Sequence, residues 1–194
     1  HLHHEDFTGQ HGKFYRSHRN SKWYKEQKIQ FQDIAIKLGY PSVHEHKKGI
    51  SKIIKNYVKD GGFLFAMCSA TDSYDIALAM ENVDGVEAVY DGTPTSPNLQ
   101  NSLDYSQCFA FENFKIISDP MIYEFSDIDF PPSHNPITRG AKADYFTLFE
   151  FSAKYDPVHS MLTQNHVPII KGFMGQTTGF HKDKIKKHIV IMGE

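Results

Sequence analysis

Two groups of residues in this 194-residue chain have the types and spacing to do chemistry. The first is Cys68, in Ala66-Met67-Cys68-Ser69-Ala70. It closes an apolar run, Phe63 to Cys68, and precedes a helical pattern. A nucleophile elbow is a sharp strand-to-helix turn with small residues two positions either side of the nucleophile, and the two alanines meet that need less permissively than glycines would. At a helix N-terminus the dipole and free N–H groups favour a thiolate. The backbone of Ser69, Ala70 and Thr71 would then supply the oxyanion donors. The competing reading is a small hydrophobe in a core, the commonest fate of a free cysteine.

The second group is His1-Leu2-His3-His4-Glu5-Asp6, which opens a stretch holding five of the 12 histidines within 18 residues. If it is a strand, His1 and His3 share a face. His4, Glu5 and Asp6 then fall at the strand's C-terminal edge, where open α/β sheets keep their ligand crevice. Three uses are open: His3, His4, Glu5 and Asp6 as ligands of a divalent metal such as zinc, His3 or His4 as the general base for Cys68, or a solvated loop. No closed ligand spacing such as H-E-x-x-H is present.

The elements that must position these groups follow from periodicity and caps. Phe31, Ile34, Ala35 and Leu38 form one face of a helix over 22–38, with Gly39 as its stop. Ser42 and Glu45 have capping-box spacing and open a second helix, with an apolar stripe of Ile50, Ile53, Ile54, Tyr57 and Val58 and an end at Gly61-Gly62. Phe63 to Cys68 reads as a strand buried on both faces. Asp72 and Asp75 repeat a cap-like spacing and predict a helix over about 73–81. Residues 7–20 read as a polar loop. Helix, strand and helix in succession indicate an α/β domain with a parallel sheet.

The second half is turn-rich over 92–105 and then carries short aromatic runs at 108–114, 122–125 and 145–151, with a further strand at 167–173. Residues 1–91 thus form a helix–strand–helix core and 92–194 a strand-rich half of one partial domain. Weaker features are a Gly-rich loop at 172–179, a carboxylate trio of Glu124, Asp127 and Asp129 suited to a cation, and a basic run from Lys182 to Lys187 that reads as a solvated helix end. A start at His1 and a strand-like end over 189–194 suggest a piece of a longer protein.

Composition limits the function classes. Hydrophobic residues are 40%, charged 23%, and the net charge is -2, so no strongly basic face points to nucleic acid. No run of about 18 apolar residues is present to span a membrane. Two cysteines, Cys68 and Cys108, allow one bridge at most.

Five segments, HLHHEDFTGQHGKFY (1–15), GGFLFAMCSATDSYDIALA (61–79), YEFSDID (123–129), DYFTLFEFSAKYDPV (144–158) and IKGFMGQTTGF (170–180), resemble bacterial proteins commonly labelled asparagine synthetase B. The resemblance implies a class I glutamine amidotransferase-like, flavodoxin-type fold in a longer, exported protein of the periplasm or cell envelope, with Cys68 at the elbow. It also implies a thiol-dependent hydrolase or amide-nitrogen transferase. The chain departs from that pattern in having no downstream His-x-Glu pair, so the base is one of the histidines named above or lies outside the chain. It has neither an N-terminal cysteine nor an S-G-G-x-D-S loop, so ATP-dependent asparagine synthesis is not supported. The alternative is a non-catalytic envelope protein that binds a small molecule, peptide or metal at a degenerate site.

Overall fold

The computed structural model describes residues 1–2, 5–67, 69–128, 161–163, 169–171 and 179–192. Five helices are named in chain order: α1 Tyr15–His18, α2 Lys22–Lys37, α3 Val43–Lys59, α4 Ser69–Ala79 and α5 Ala88–Asp91. Four short strands follow: β1 Met161–Thr163, β2 Ile169–Lys171, β3 Gly179–His181 and β4 Val190–Met192. β1 pairs with β4 in parallel, and β2 pairs with β3 antiparallel. Isolated bridges join Leu2 to Ala66 in parallel, and Phe111 to Ile185 and Ile116 to Ser126 antiparallel. No larger sheet is seen among the described residues.

The ends of α2 and α3 follow local chemistry. Gly39 adopts φ +86°, which lets the Gly39 and Tyr40 amides donate to Ile36 and Ala35 and close the last turn of α2. Ser42 Oγ accepts from the Glu45 amide at 3.2 Å and caps α3. The Gly61 and Gly62 amides close α3 as Gly39 and Tyr40 close α2.

The apolar stripes behave differently from expectation. On α2 only Tyr24 and Ala35 are buried, while Phe31, Ile34 and Leu38 meet solvent. On α3 the buried residues are Val43, His44, Lys48, Ser51 and Lys55, and Ile53 and Tyr57 are exposed. The inward face is mixed: Ile50 and Ile54 pack against Phe7, Ala70, Tyr74, Ala77 and Leu78 as the stripe predicts, while lysines finish the far end of α4. Lys48 Nζ donates to Val83 O at 3.1 Å and pairs with Glu45 at 2.6 Å, while Lys52 pairs with Glu81 at 2.5 Å. Lysines beside the C-terminal carbonyls of a helix oppose its dipole favourably.

α4 begins at Ser69, four residues earlier than its cap-like pattern suggests, and is buried from Asp72 through Ala79. Asp72 and Asp75 are therefore interior residues of the helix, not caps. Two apolar clusters flank it. Phe7, Ala70, Tyr74, Ala77 and Leu78 form one; Ile76, Ala79 and Met80 meet Phe111, Phe114, Phe125, Ile128, Phe180, Ile185 and Ile189 in the other. The second cluster joins the two halves of the chain through one core.

The segment from Phe63 is not buried on both faces. Phe63 is 82% and Phe65 52% exposed, and its described strand pairing is the bridge from Ala66 to Leu2. With one neighbour, alternate side chains face solvent. The aromatic runs at 108–114 and 122–125 are irregular apart from the bridge at Phe111. The runs at 145–151 and 172–178 lie outside the described residues. The basic run is tied down rather than solvated. Lys184 reaches Asn113 O at 3.0 Å and Asp127 at 3.2 Å, and Lys186 reaches Cys108 O at 2.6 Å. Asp127 also accepts from the Lys115 amide at 2.6 Å, so it is committed within the fold, and Asp129 lies outside the described residues.

Candidate functional site

Described neighbours of the two expected groups lie side by side. The Leu2 amide donates to Phe65 O at 2.8 Å and the Met67 amide to Leu2 O at 3.1 Å, so the first residues run parallel to the segment that leads into α4. Ser73 Oγ, one turn into α4, donates to Glu5 O at 3.0 Å and accepts from the Phe7 amide at 3.4 Å. The connection from the bridge at Ala66 to α4 at Ser69 takes only residues 67 and 68. Cys68, His3 and His4 themselves lie outside the described residues. Ser69, Ala70 and Thr71 form the first turn of α4, and the Ala70 amide is committed to Met67 O at 3.2 Å.

Of the expected metal ligands, Asp6 serves the backbone. Its carboxylate accepts from the Thr8 amide at 2.7 Å, the Thr8 hydroxyl at 2.5 Å and the Gly12 amide at 3.3 Å. Among the described residues no group of three or more His, Cys, Asp or Glu side chains is arranged to hold a metal ion. No helix there is long and apolar enough to cross a membrane.

Cys108 is a buried free thiol whose Sγ donates to Asp75 O at 3.2 Å. Burial, with the Asp75 carboxylate nearby, pushes this thiol well above its ordinary range, so it is unreactive in the folded chain.

Asp6 organises something the sequence does not announce. Residues 7–20 are not merely a polar loop. His11, Gly12 and Lys13 make a single left-handed turn, with φ of 51°, 61° and 58°. Left-handed backbone at two non-glycine residues costs on the order of 1–3 kcal/mol each and collects at functional sites. The turn is held down by buried contacts. Lys13, itself buried, donates to Ile117 O and Asp119 O, and burial lowers its ammonium to about 8. His44 Nδ1 lies 2.6 Å from Thr8 O.

Gly9 fixes the approach. It has φ +83°, and a Cβ there would stand 2.8 Å from His44 Cα and 2.9 Å from His44 N. Gly9→Ala is expected to destabilise by about 3 kcal/mol, from the left-handed penalty plus a backbone clash. Gly39→Ala has nothing within 4 Å of its Cβ, so only the left-handed penalty of about 1 kcal/mol applies. Urea unfolding of the two variants separates the terms; equal losses would mean that the Gly9–His44 contact is not close.

The turn delivers His11 into an aromatic cluster. Its ring stacks on Phe31 at 5.9 Å and on Tyr90 at 6.1 Å, and meets the edge of Tyr24 at 6.1 Å. Desolvation lowers the imidazole to about 4, against the pull of Asp6 and with help from Lys28 and Lys47, so it is neutral at pH 7. Burial raises the Tyr24 hydroxyl to about 12, and raises that of Tyr90 as well. The only signal in the sequence is the pair of glycines bracketing Gln10-His11.

One shallow groove, of about 480 Å³, is lined by Tyr105, Ser106, Glu112, Lys186, Lys187 and His188, and none of the expected site residues borders it. No protein family, curated protein or solved structure matches the chain.

Proposed function

We propose that this chain belongs to an amidotransferase-like α/β protein with a flavodoxin-type sheet, in which Cys68 is the nucleophile of a thiol-dependent hydrolase or amide-nitrogen transferase. The observation that carries the reading is the parallel run of residues 1–2 against 65–67, tightened by Ser73 on Glu5 and Phe7. It supports a common rim for the His3–His4 segment and the start of α4.

In this mechanism His3 or His4 takes the thiol proton, and the Cys68 sulfur adds to an amide carbonyl carbon. Backbone donors in the first turn of α4, from Ser69 and Thr71, stabilise the oxyanion, while the Ala70 amide is held by Met67 O. The C–N bond then breaks, the nitrogen leaves with the proton from the histidine, and water releases the acyl group from sulfur.

Alkylation with iodoacetamide, followed by mass spectrometry across pH, tests this. Cys68 is expected to react under native conditions well below pH ~8, the unperturbed thiol range, while Cys108 reacts only on unfolding. Reaction of both cysteines only on unfolding would sink the reading. Cys68→Ser is expected to abolish amide hydrolysis without loss of the folded state, read by circular dichroism.

A further inference from the structure

The cluster around His11 holds buried polar atoms that nothing in the described protein satisfies. Gln10 Oε1 and Nε2, His11 Nε2, Tyr24 Oη and Tyr90 Oη are all inaccessible and have no hydrogen-bond partner. Gln10 is 0%, Tyr24 4% and Tyr90 2% exposed. Three of these atoms belong to rings in mutual contact, His11 with Tyr24 and Tyr90, and Gln10 adjoins His11 in the chain; such a group is unusual, since native buried polar groups nearly always find a protein or bound partner. They come from separate elements. His11 opens the left-handed turn and Gln10 precedes it, Tyr24 lies on α2 and Tyr90 on α5, so these buried groups come from several parts of the fold.

Three of the charges nearby are already committed, and a fourth, Lys47, lies over the Phe7 ring. Asp6 is held by the Thr8 and Gly12 amides, Lys13 by two carbonyls, and Lys28 by Val89 O. What remains is uncharged: an amide that both donates and accepts, two hydroxyls that do both, and a neutral imidazole nitrogen. Hydroxyl groups, which donate and accept at once, match that set better than an ion of either sign. Aromatic rings supply the rest of the wall, and an aromatic face or edge suits the C–H surface of a sugar ring. Phe31 stacks on His11 and is itself partly exposed, and Tyr15 meets Tyr90 at 6.2 Å and is half-buried, so the cluster lies one side chain below the surface.

We propose that Gln10, His11, Tyr24 and Tyr90 form a binding site for a small uncharged polyhydroxyl molecule of the monosaccharide class, admitted by displacement of Phe31 or Tyr15. The site does not involve Cys68, and its test is independent of any amide chemistry.

Calorimetric titration of the whole chain with D-glucose, D-galactose, N-acetylglucosamine and myo-inositol tests it, with phosphate and betaine as charged controls. At least one of the four uncharged compounds is expected to bind saturably, and neither control to do so. The double variant Tyr24→Phe/Tyr90→Phe is expected to weaken that binding at least tenfold. The free double variant should unfold at the same temperature as the parent or higher, because removing an unsatisfied buried hydroxyl relieves a penalty. Saturable binding of none of the four overturns the proposal, as does binding that survives the double variant. A double variant that unfolds several degrees lower also overturns it, since the hydroxyls would then be satisfied by structural water in the free protein.

Discussion

Asp75→Ala is expected to lose about 3–5 kcal/mol of stability, a large share of the total for a domain of ordinary stability. Asp75 is fully buried on α4, and its carboxylate collects three consecutive amides from the segment beyond Cys108. The Phe109 amide donates to Oδ1 at 2.8 Å, and the Ala110 and Phe111 amides to Oδ2 at 2.7 and 2.9 Å. Burial raises this carboxyl above the usual range, while the three amides and Lys186 act in the opposite direction. Alanine would strand those donors beside Phe111, which is wholly buried in the main apolar cluster. Asp75→Asn is expected to cost less, about 2–3 kcal/mol, because its oxygen still accepts while its NH₂ faces a donor. Urea unfolding followed by circular dichroism checks both. A loss below 1 kcal/mol for Asp75→Ala would mean that the carboxylate does not hold the 109–111 segment in solution.

Asp75 also shows why parts of the fold were readable in the sequence and parts were not. Ser42, Gly39 and Gly61 act on backbone groups within four residues of themselves, so their spacing alone placed the ends of α2 and α3. Asp72 and Asp75 look like the same kind of cap. Asp75 instead spends its oxygens on residues more than 30 positions away, and the helix starts at Ser69, where the pattern offered no cap. Local pattern cannot distinguish a carboxylate that closes its own turn from one that fastens a distant loop. The stripe on α3 holds at Ile50 and Ile54 and fails at Ile53 and Tyr57 for a related reason. Lys48 and Lys55 are buried because carbonyl and amide oxygens from residues 83 and 107 await them, and those partners are set by tertiary packing. Of the described neighbours of the candidate site, the run of Leu2 beside residues 65–67 was legible, since alternation and the apolar run both marked strand-like segments. The His11 cluster was not, because Tyr24, Phe31 and Tyr90 come to it from separate elements, and no spacing links them.

Acid is expected to weaken the fold through His11 before the carboxylates titrate in bulk. The folded imidazole titrates near 4 and an unfolded one near 6.5. Above pH 6.5 both states are neutral there, so His11 contributes no pH dependence. As pH falls from 6.5 toward 4, the unfolded chain takes up a proton that the folded chain refuses, and unfolding is favoured. Between pH 7 and 5 the loss from this one group is about 2 kcal/mol. The groups facing the ring oppose one another: Asp6 draws the proton in, while Lys28 and Lys47 repel it, and desolvation between Phe31 and Tyr90 acts with the lysines and outweighs Asp6. His11→Phe keeps a ring in the stack and removes the titration. The stability difference between parent and variant should therefore shift by about 2 kcal/mol in the variant's favour from pH 7 to pH 5 in urea unfolding. A difference that stays constant over that range would mean that the imidazole is solvated and charged in the folded chain. The left-handed turn would then not deliver His11 to the aromatic cluster, and the proposed binding site would lose its central member.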